Sequence, residues 1–176
     1  MRVVIVYESM FGTTHLIADE IGTIAASQGE VAVVPVAEAT PNVLEGAELV
    51  IVGGPTHVHG LSWPTTRAEA EAESEQYEAL VLDPDAEGPG LRDWFHQVGD
   101  VDNVLGAAFD TRLNKPEVVT GRASKGIDRR LRNHGYRTIA QPESFLVDKE
   151  NHLVDGEADR ARAWAETLFD HLADRG

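Results

Sequence analysis

The 176-residue chain contains no cysteine. That absence excludes disulfides, thiolate zinc sites, iron–sulfur clusters and cysteine nucleophiles together. Basic residues are scarce: 15 Lys and Arg stand against 30 Asp and Glu, a net charge of −15. So acidic a protein is repelled by nucleic acid and by anionic membrane surfaces, and neither is expected as a partner. No apolar run approaches the roughly 20 residues of a membrane-spanning helix. The opening run Met1–Tyr7 meets Glu8 too soon for a signal-peptide core, so a soluble cytoplasmic protein is expected.

What is present reads as one globular domain, with 42% hydrophobic and 26% charged residues. Continuous β-branched runs at Val3–Tyr7, Val31–Val36, Leu49–Gly53 and Val104–Phe109 suit strands buried on both faces. A fifth, less pure run spans Arg137–Val147, and Pro35 marks the second as an edge strand. Between them lie amphipathic stretches. Leu16, Ile17, Ile21, Ile24 and Ala25 form one apolar stripe; Leu91, Trp94, Phe95 and Val98 form another. Ala123, Ile127 and Leu131 step by four, and Ala161, Trp164, Ala165, Leu168 and Leu172 make the last stripe. Strands alternating with helices in a chain of this size predict a doubly wound α/β sandwich of three layers with a parallel sheet.

Two segments carry unbalanced charge. Residues 67–90 hold one basic and eight acidic residues, an acidic insertion that reads as a solvated helix and loop or as a lid. Residues 112–137 hold eight basic and two acidic residues and read as a solvated helix face or as an anion or partner surface.

In an open α/β sheet, ligands sit beyond the carboxyl ends of the strands. After the first strand comes Glu8-Ser9-Met10-Phe11-Gly12-Thr13-Thr14-His15. Three hydroxyls, a glycine and a helix start converge there, the donors a phosphate needs. The stretch has neither the lysine of a nucleoside-triphosphate loop nor a Gly-x-Gly-x-x-Gly dinucleotide turn, so it suits a terminal phosphomonoester. After the third strand comes Gly53-Gly54-Pro55-Thr56-His57-Val58-His59-Gly60, with Trp63 close behind. Imidazole and glycine there suit a flat ring. The His57-x-His59 pair lacks a third metal ligand in the same loop, and no metal site is expected. After the fourth strand comes Phe109-Asp110-Thr111-Arg112.

These three loops together resemble those of the flavodoxin family, and the resemblance extends over the whole chain. The run Ser9-Met10-Phe11-Gly12-Thr13-Thr14 is similar to the family's phosphate loop, with Phe11 where a threonine is usual. The Gly-Gly-Pro-Thr and Phe-Asp-Thr runs resemble the two loops that sandwich the flavin ring; His57 or His59 stands where the family places its stacking tryptophan. The resemblance implies a five-stranded parallel sheet of order 2-1-3-4-5. It also implies FMN held by Ser9–Thr14, Pro55–Gly60 and Phe109–Arg112, and no catalytic side chain. On that reading Val3, Val4, Ile5, Val6, Ile51 and Leu105 are buried in the sheet. The loop Thr56–Gly60 would respond to the flavin's redox state.

The function so implied is an FMN-binding electron-transfer protein, exchanging electrons with a redox partner protein or a small-molecule acceptor. Two alternatives stand beside it. One is an FMN-dependent oxidoreductase of the quinone or protoporphyrinogen type. The other is a flavodoxin-fold binding module that has lost FMN.

Overall fold

The computed structural model describes residues 1–57, 60–62, 65, 68, 72, 81–86 and 88–173. Most of the acidic insertion, together with Val58, His59 and Trp63, lies outside the described residues. In chain order the elements are β1 (Arg2–Tyr7), α1 (Thr13–Ala25), β2 (Glu30–Pro35), α2 (Pro41–Leu44) and β3 (Leu49–Pro55). There follow α3 (Leu91–Gln97), β4 (Leu105–Leu113), α4 (Glu117–Thr120), α5 (Ala123–Asn133), β5 (Arg137–Thr138), β6 (Glu143–Val147) and α6 (Glu157–Ala173).

The sheet is parallel, in the order β2-β1-β3-β4-β5, and β6 also pairs with β4. Pro35 ends β2, which is an edge strand as its missing N–H requires. The expected five strands become six. The run Arg137–Val147 does not form one strand: β5 pairs with Leu105 and Gly106, and β6 pairs with Phe109–Leu113 on the same strand. Pro142 sits in the break, where it has no N–H to give and restricts Gln141 before it.

Side chains on successive residues of a strand point to opposite faces, and both faces of this sheet are covered. Val3 and Ile5 pack with Ile17, Ile21, Phe145 and Leu168 on the face carrying α1 and α6. Val4 and Val6 pack with Leu91, Trp94, Ile127 and Leu131 under α3 and α5. Val3 through Val6 and Ile51 are completely buried, as expected. Leu105 is only half-buried, because it opens β4 at the amino end of the sheet where helix cover runs out. Leu16 also departs from its stripe. It is 55% exposed, since α1 turns Ile17, Ala18 and Ile21 inward and residue 16 falls on the outer flank.

Two glycines show how tightly the centre is built. A Cβ on Gly53 would lie 2.0 Å from Cζ of Phe109, and one on Gly54 would lie 2.6 Å from a Leu91 methyl. The Gly53-Gly54 pair therefore serves packing: it lets an aromatic ring cross one face of β3 and a leucine cross the other.

Candidate functional site

The carboxyl ends of β1, β3 and β4 meet at one end of the sheet, and the loops leaving them form a cleft. Its lining includes Met10, Phe11, Thr13 and Thr14 from the first loop, Pro55, Thr56 and His57 from the second, and Thr111 and Arg112 from the third. All three loops singled out in the sequence contribute.

The first loop is shaped by Gly12, which takes a positive φ of 87° and precedes α1. A side chain there would be strained; glycine is not. Gly12 offers no side-chain cap, and the first turn of α1 holds no acidic residue. The opening N–H groups of a helix have no intrahelical partner, so this terminus presents donors and positive dipole to the cleft. The hydroxyls are arranged to add to them. The Ser9 oxygen accepts from the Gly12 N–H at 3.0 Å. Thr13 accepts from Asn151 Nδ2 at 3.2 Å, and Thr14 and Thr111 share a hydrogen bond of 2.7 Å. Ser9 and Thr13 each use an acceptor position and keep an O–H to donate.

The third loop divides by face. Phe109 is wholly buried and packs edge-on against Phe145 and Trp164. Asp110 is also wholly buried, and its Oδ2 accepts from the Ser124 N–H at 2.7 Å, capping α5. Burial pushes its carboxyl above the ordinary value, against the opposing pull of that hydrogen bond. These two residues support the cleft from within the fold. Thr111 reaches across to α1, and Arg112 lines the rim. Arg112 Nη1 donates to the Lys115 carbonyl at 2.7 Å, while its buried Nε has no partner among the described residues.

In the second loop Thr56 is bound on both sides. Its N–H donates to the Thr111 carbonyl at 2.8 Å, and its hydroxyl accepts from the Ala123 N–H at 2.9 Å. His57 and Gly60 exchange N–H···O bonds of 2.8 and 2.9 Å. The predicted residues Val58 and His59 lie outside the described ones.

Three residues of this region escaped the sequence reading. Glu8 is buried; its Oε2 accepts from the Leu91 N–H at 2.8 Å and its Oε1 from the Ser62 hydroxyl. It thereby ties β1 to α3 and to the second loop. Asn151 arrives from the β6–α6 connection in a left-handed conformation, φ 62°. An Asn in a turn is the residue type that adopts it, which was the one available signal. Asp83 lies in the later part of the insertion, and its N–H donates to the Met10 carbonyl at 2.8 Å. The basic segment 112–137 lies along the end of β4, α4 and α5, where Glu117 pairs with Lys125 and Arg122, and Asp128 with Arg132.

The sequence matches no family model and no curated protein. Solved structures do match. Flavodoxin 1 from Bacillus cereus has a TM-score of 0.67 at 16% identity, over 97% of this chain and 99% of that one. A flavodoxin from the domain Archaea has a TM-score of 0.63 at 18% identity, over 97% of both chains. The rubredoxin oxygen:oxidoreductase of Desulfovibrio gigas matches at 0.58 and 20% identity, with 98% of this chain covering 37% of that one. Among the described residues, no helix is long and apolar enough to cross a membrane. A parallel sheet in the order 2-1-3-4-5 with helices on both faces is common ground with these proteins: the chain has the flavodoxin fold.

Proposed function

We propose that the chain is an FMN-binding electron-transfer protein. The observation that carries this reading is the first turn of α1. It is uncapped, has no carboxylate, and faces a cleft lined by Thr13 and Thr14, of which Thr13 holds a hydroxyl proton in reserve. Neutral O–H and N–H donors at a helix N-terminus fit a phosphomonoester. The unpartnered Nε of Arg112, buried on the same rim, is a further donor waiting for an acceptor. The donor set thus fits the phosphate end of FMN.

In this reading Ser9, Met10, Phe11, Gly12, Thr13 and Thr14 hold the phosphate end. Pro55, Thr56, His57, Val58, His59 and Gly60 flank one side of the ring, with Thr111 and Arg112 on the other. Phe109 and Asp110 fix those loops from the interior. Bound FMN supplies the redox chemistry, taking up and releasing electrons. The protein's part is to bind it, hold its ring at the rim and exclude water behind it. Leu113, Val118 and Val119 are exposed beside Arg112, and Val118 is 87% exposed. This apolar rim suits brief contact with a redox partner protein.

The test is the visible spectrum of the purified chain before and after adding FMN, with riboflavin as the control lacking phosphate. Tight FMN uptake with much weaker riboflavin uptake is expected. A colourless chain that takes up neither would instead favour a binding module without flavin. Fast oxidation of a nicotinamide by the FMN-loaded chain would favour the oxidoreductase.

A further inference from the structure

Beside the first loop, four side chains meet. Tyr7 closes β1, His15 lies in the first turn of α1, and Asp83 and Asp85 lie in the later part of the acidic insertion. The Asp83 side chain is 1% exposed; those of His15 and Asp85 are about one-third exposed. The Tyr7 ring stacks on the His15 ring with centroids 4.3 Å apart.

The polar atoms of this group converge on one point. Tyr7 donates its O–H to Asp85 Oδ2 at 2.7 Å. The Tyr7 oxygen, 3.0 Å from His15 Nε2, must then accept a proton from that nitrogen. A neutral imidazole with its proton on Nε2 has a lone pair on Nδ1. That lone pair faces Asp83 Oδ2 at 3.2 Å and Asp85 Oδ2 at 4.0 Å. With Nδ1 unprotonated, its lone pair and the two carboxylates converge as ligand atoms do around a cation. The Asp83 carboxylate is held in place, because its Oδ1 accepts from the Asp85 N–H at 2.9 Å. It also lies 3.8 Å from where a Gly12 Cβ would be, so uncompensated charge would abut the phosphate loop.

We infer that His15 Nδ1, Asp83 and Asp85 form a site for a divalent transition cation of the zinc class. One ligand atom from each of the three lies within 4.8 Å of the other two. A tetrahedral zinc with bonds of about 2.0–2.1 Å needs ligand atoms roughly 3.3 Å apart, which small side-chain rotations supply. One imidazole nitrogen with two carboxylates suits zinc or cobalt; calcium and magnesium take oxygen ligands in larger number. Tyr7 completes the design by fixing the His15 ring and tautomer through Nε2, the second-sphere contact that metal-bound histidines require. The fourth position is left to water. The His57-x-His59 pair, read from the sequence alone, gives no reason to expect a metal. The ligands here are up to 70 positions apart. The inference does not rest on flavin binding.

The test is calorimetric titration of zinc into the purified full chain after dialysis against a chelator, with cobalt absorbance as a second readout. One zinc per chain is expected. His15→Gln and Asp85→Asn should each weaken it tenfold or more while leaving the thermal unfolding profile of the metal-free chain two-state. Among the described residues the other His–carboxylate group is Asp148, Glu150 and His152, all exposed. His152→Gln should leave the affinity unchanged. Folded chain that binds no zinc would overturn the site, since a proton on Nδ1 would then be the compensating charge. Loss of binding in His152→Gln with retention in His15→Gln would overturn it equally. FMN uptake is read separately, so either reading can fail without the other.

Discussion

Thr14 and Thr111 stand 97 positions apart and join their hydroxyl oxygens at 2.7 Å, in a buried contact that ties the first helix to the end of β4. Only one of the two protons is used between them, so the pair can donate the other to a bound oxyanion. A hydrogen bond to a charged group contributes about 1.5–3 kcal/mol. Thr14→Ala should therefore weaken FMN by roughly tenfold to a hundredfold. Riboflavin, without phosphate, should be affected far less, and Thr14→Ser should restore most of the loss. Fluorescence titrations with both flavins decide the matter; equal losses for the two would remove the phosphate from this loop.

Glu8 joins β1, the Ser62 loop and the first N–H of α3 through one buried carboxylate. Glu8→Ala leaves a buried amide and a buried hydroxyl without partners, a cost of about 2–4 kcal/mol. For a domain of this size that is a fall in Tm of roughly 5–15 °C. Glu8→Gln keeps an acceptor for Leu91 and should lose much less. A Tm for Glu8→Ala within 2 °C or so of the parent would show that the carboxylate is not holding α3.

Gly53 yields its space to the ring of Phe109. Gly53→Ala should destabilise the fold by several kcal/mol, through displacement of a packed ring rather than through flavin contact. Shortening the partner, as in Gly53→Ala with Phe109→Leu, should recover part of that loss. The coupling is measured by a double-mutant cycle in denaturant. Additive effects would contradict the contact.

Asp110 gives a pH signature. Its folded-state affinity for a proton is raised by burial, so the folded chain binds that proton more readily than the unfolded one. Its contribution to stability is complete below the ordinary carboxylate value of about 3.9 and is lost as pH rises through the raised folded value. Asp110→Asn keeps an oxygen for the Ser124 N–H and removes the charge. It should raise Tm at neutral pH, with the gain shrinking as pH falls towards 4. Melting curves across that range check the sign; a gain that grows towards acid would refute it.

The sheet was legible because buried parallel strands advertise themselves as β-branched runs, and Val3–Val6 are as deeply buried as that pattern demands. The break between β5 and β6 was harder to read. Strand-forming residues stand on both sides of it, Thr138 and Ile139 before and Phe145–Val147 after, and only Pro142 hints at it. The three loops were legible because ligands gather where strands end. Which side chain of each loop faces the cleft was not. Phe109, Asp110 and Thr111 alternate faces in a sheet covered on both sides, so composition alone cannot say which one emerges. Glu8, Asp83 and Asn151 acquire their meaning from partners between 54 and 138 positions away, a closeness that exists only once the sheet has closed.

Proline marks both margins of the sheet. Pro35 terminates β2, and Pro142 parts β5 from β6, leaving pieces of two and five residues where a continuous strand could have run. A long open margin is a template on which a second chain can lay its own backbone and begin to aggregate. Here one margin stops at a residue with no N–H, and the other is interrupted before a ladder of useful length can form. The irregularity of the fifth strand position is thus a safeguard against self-association in the crowded, half-folded state.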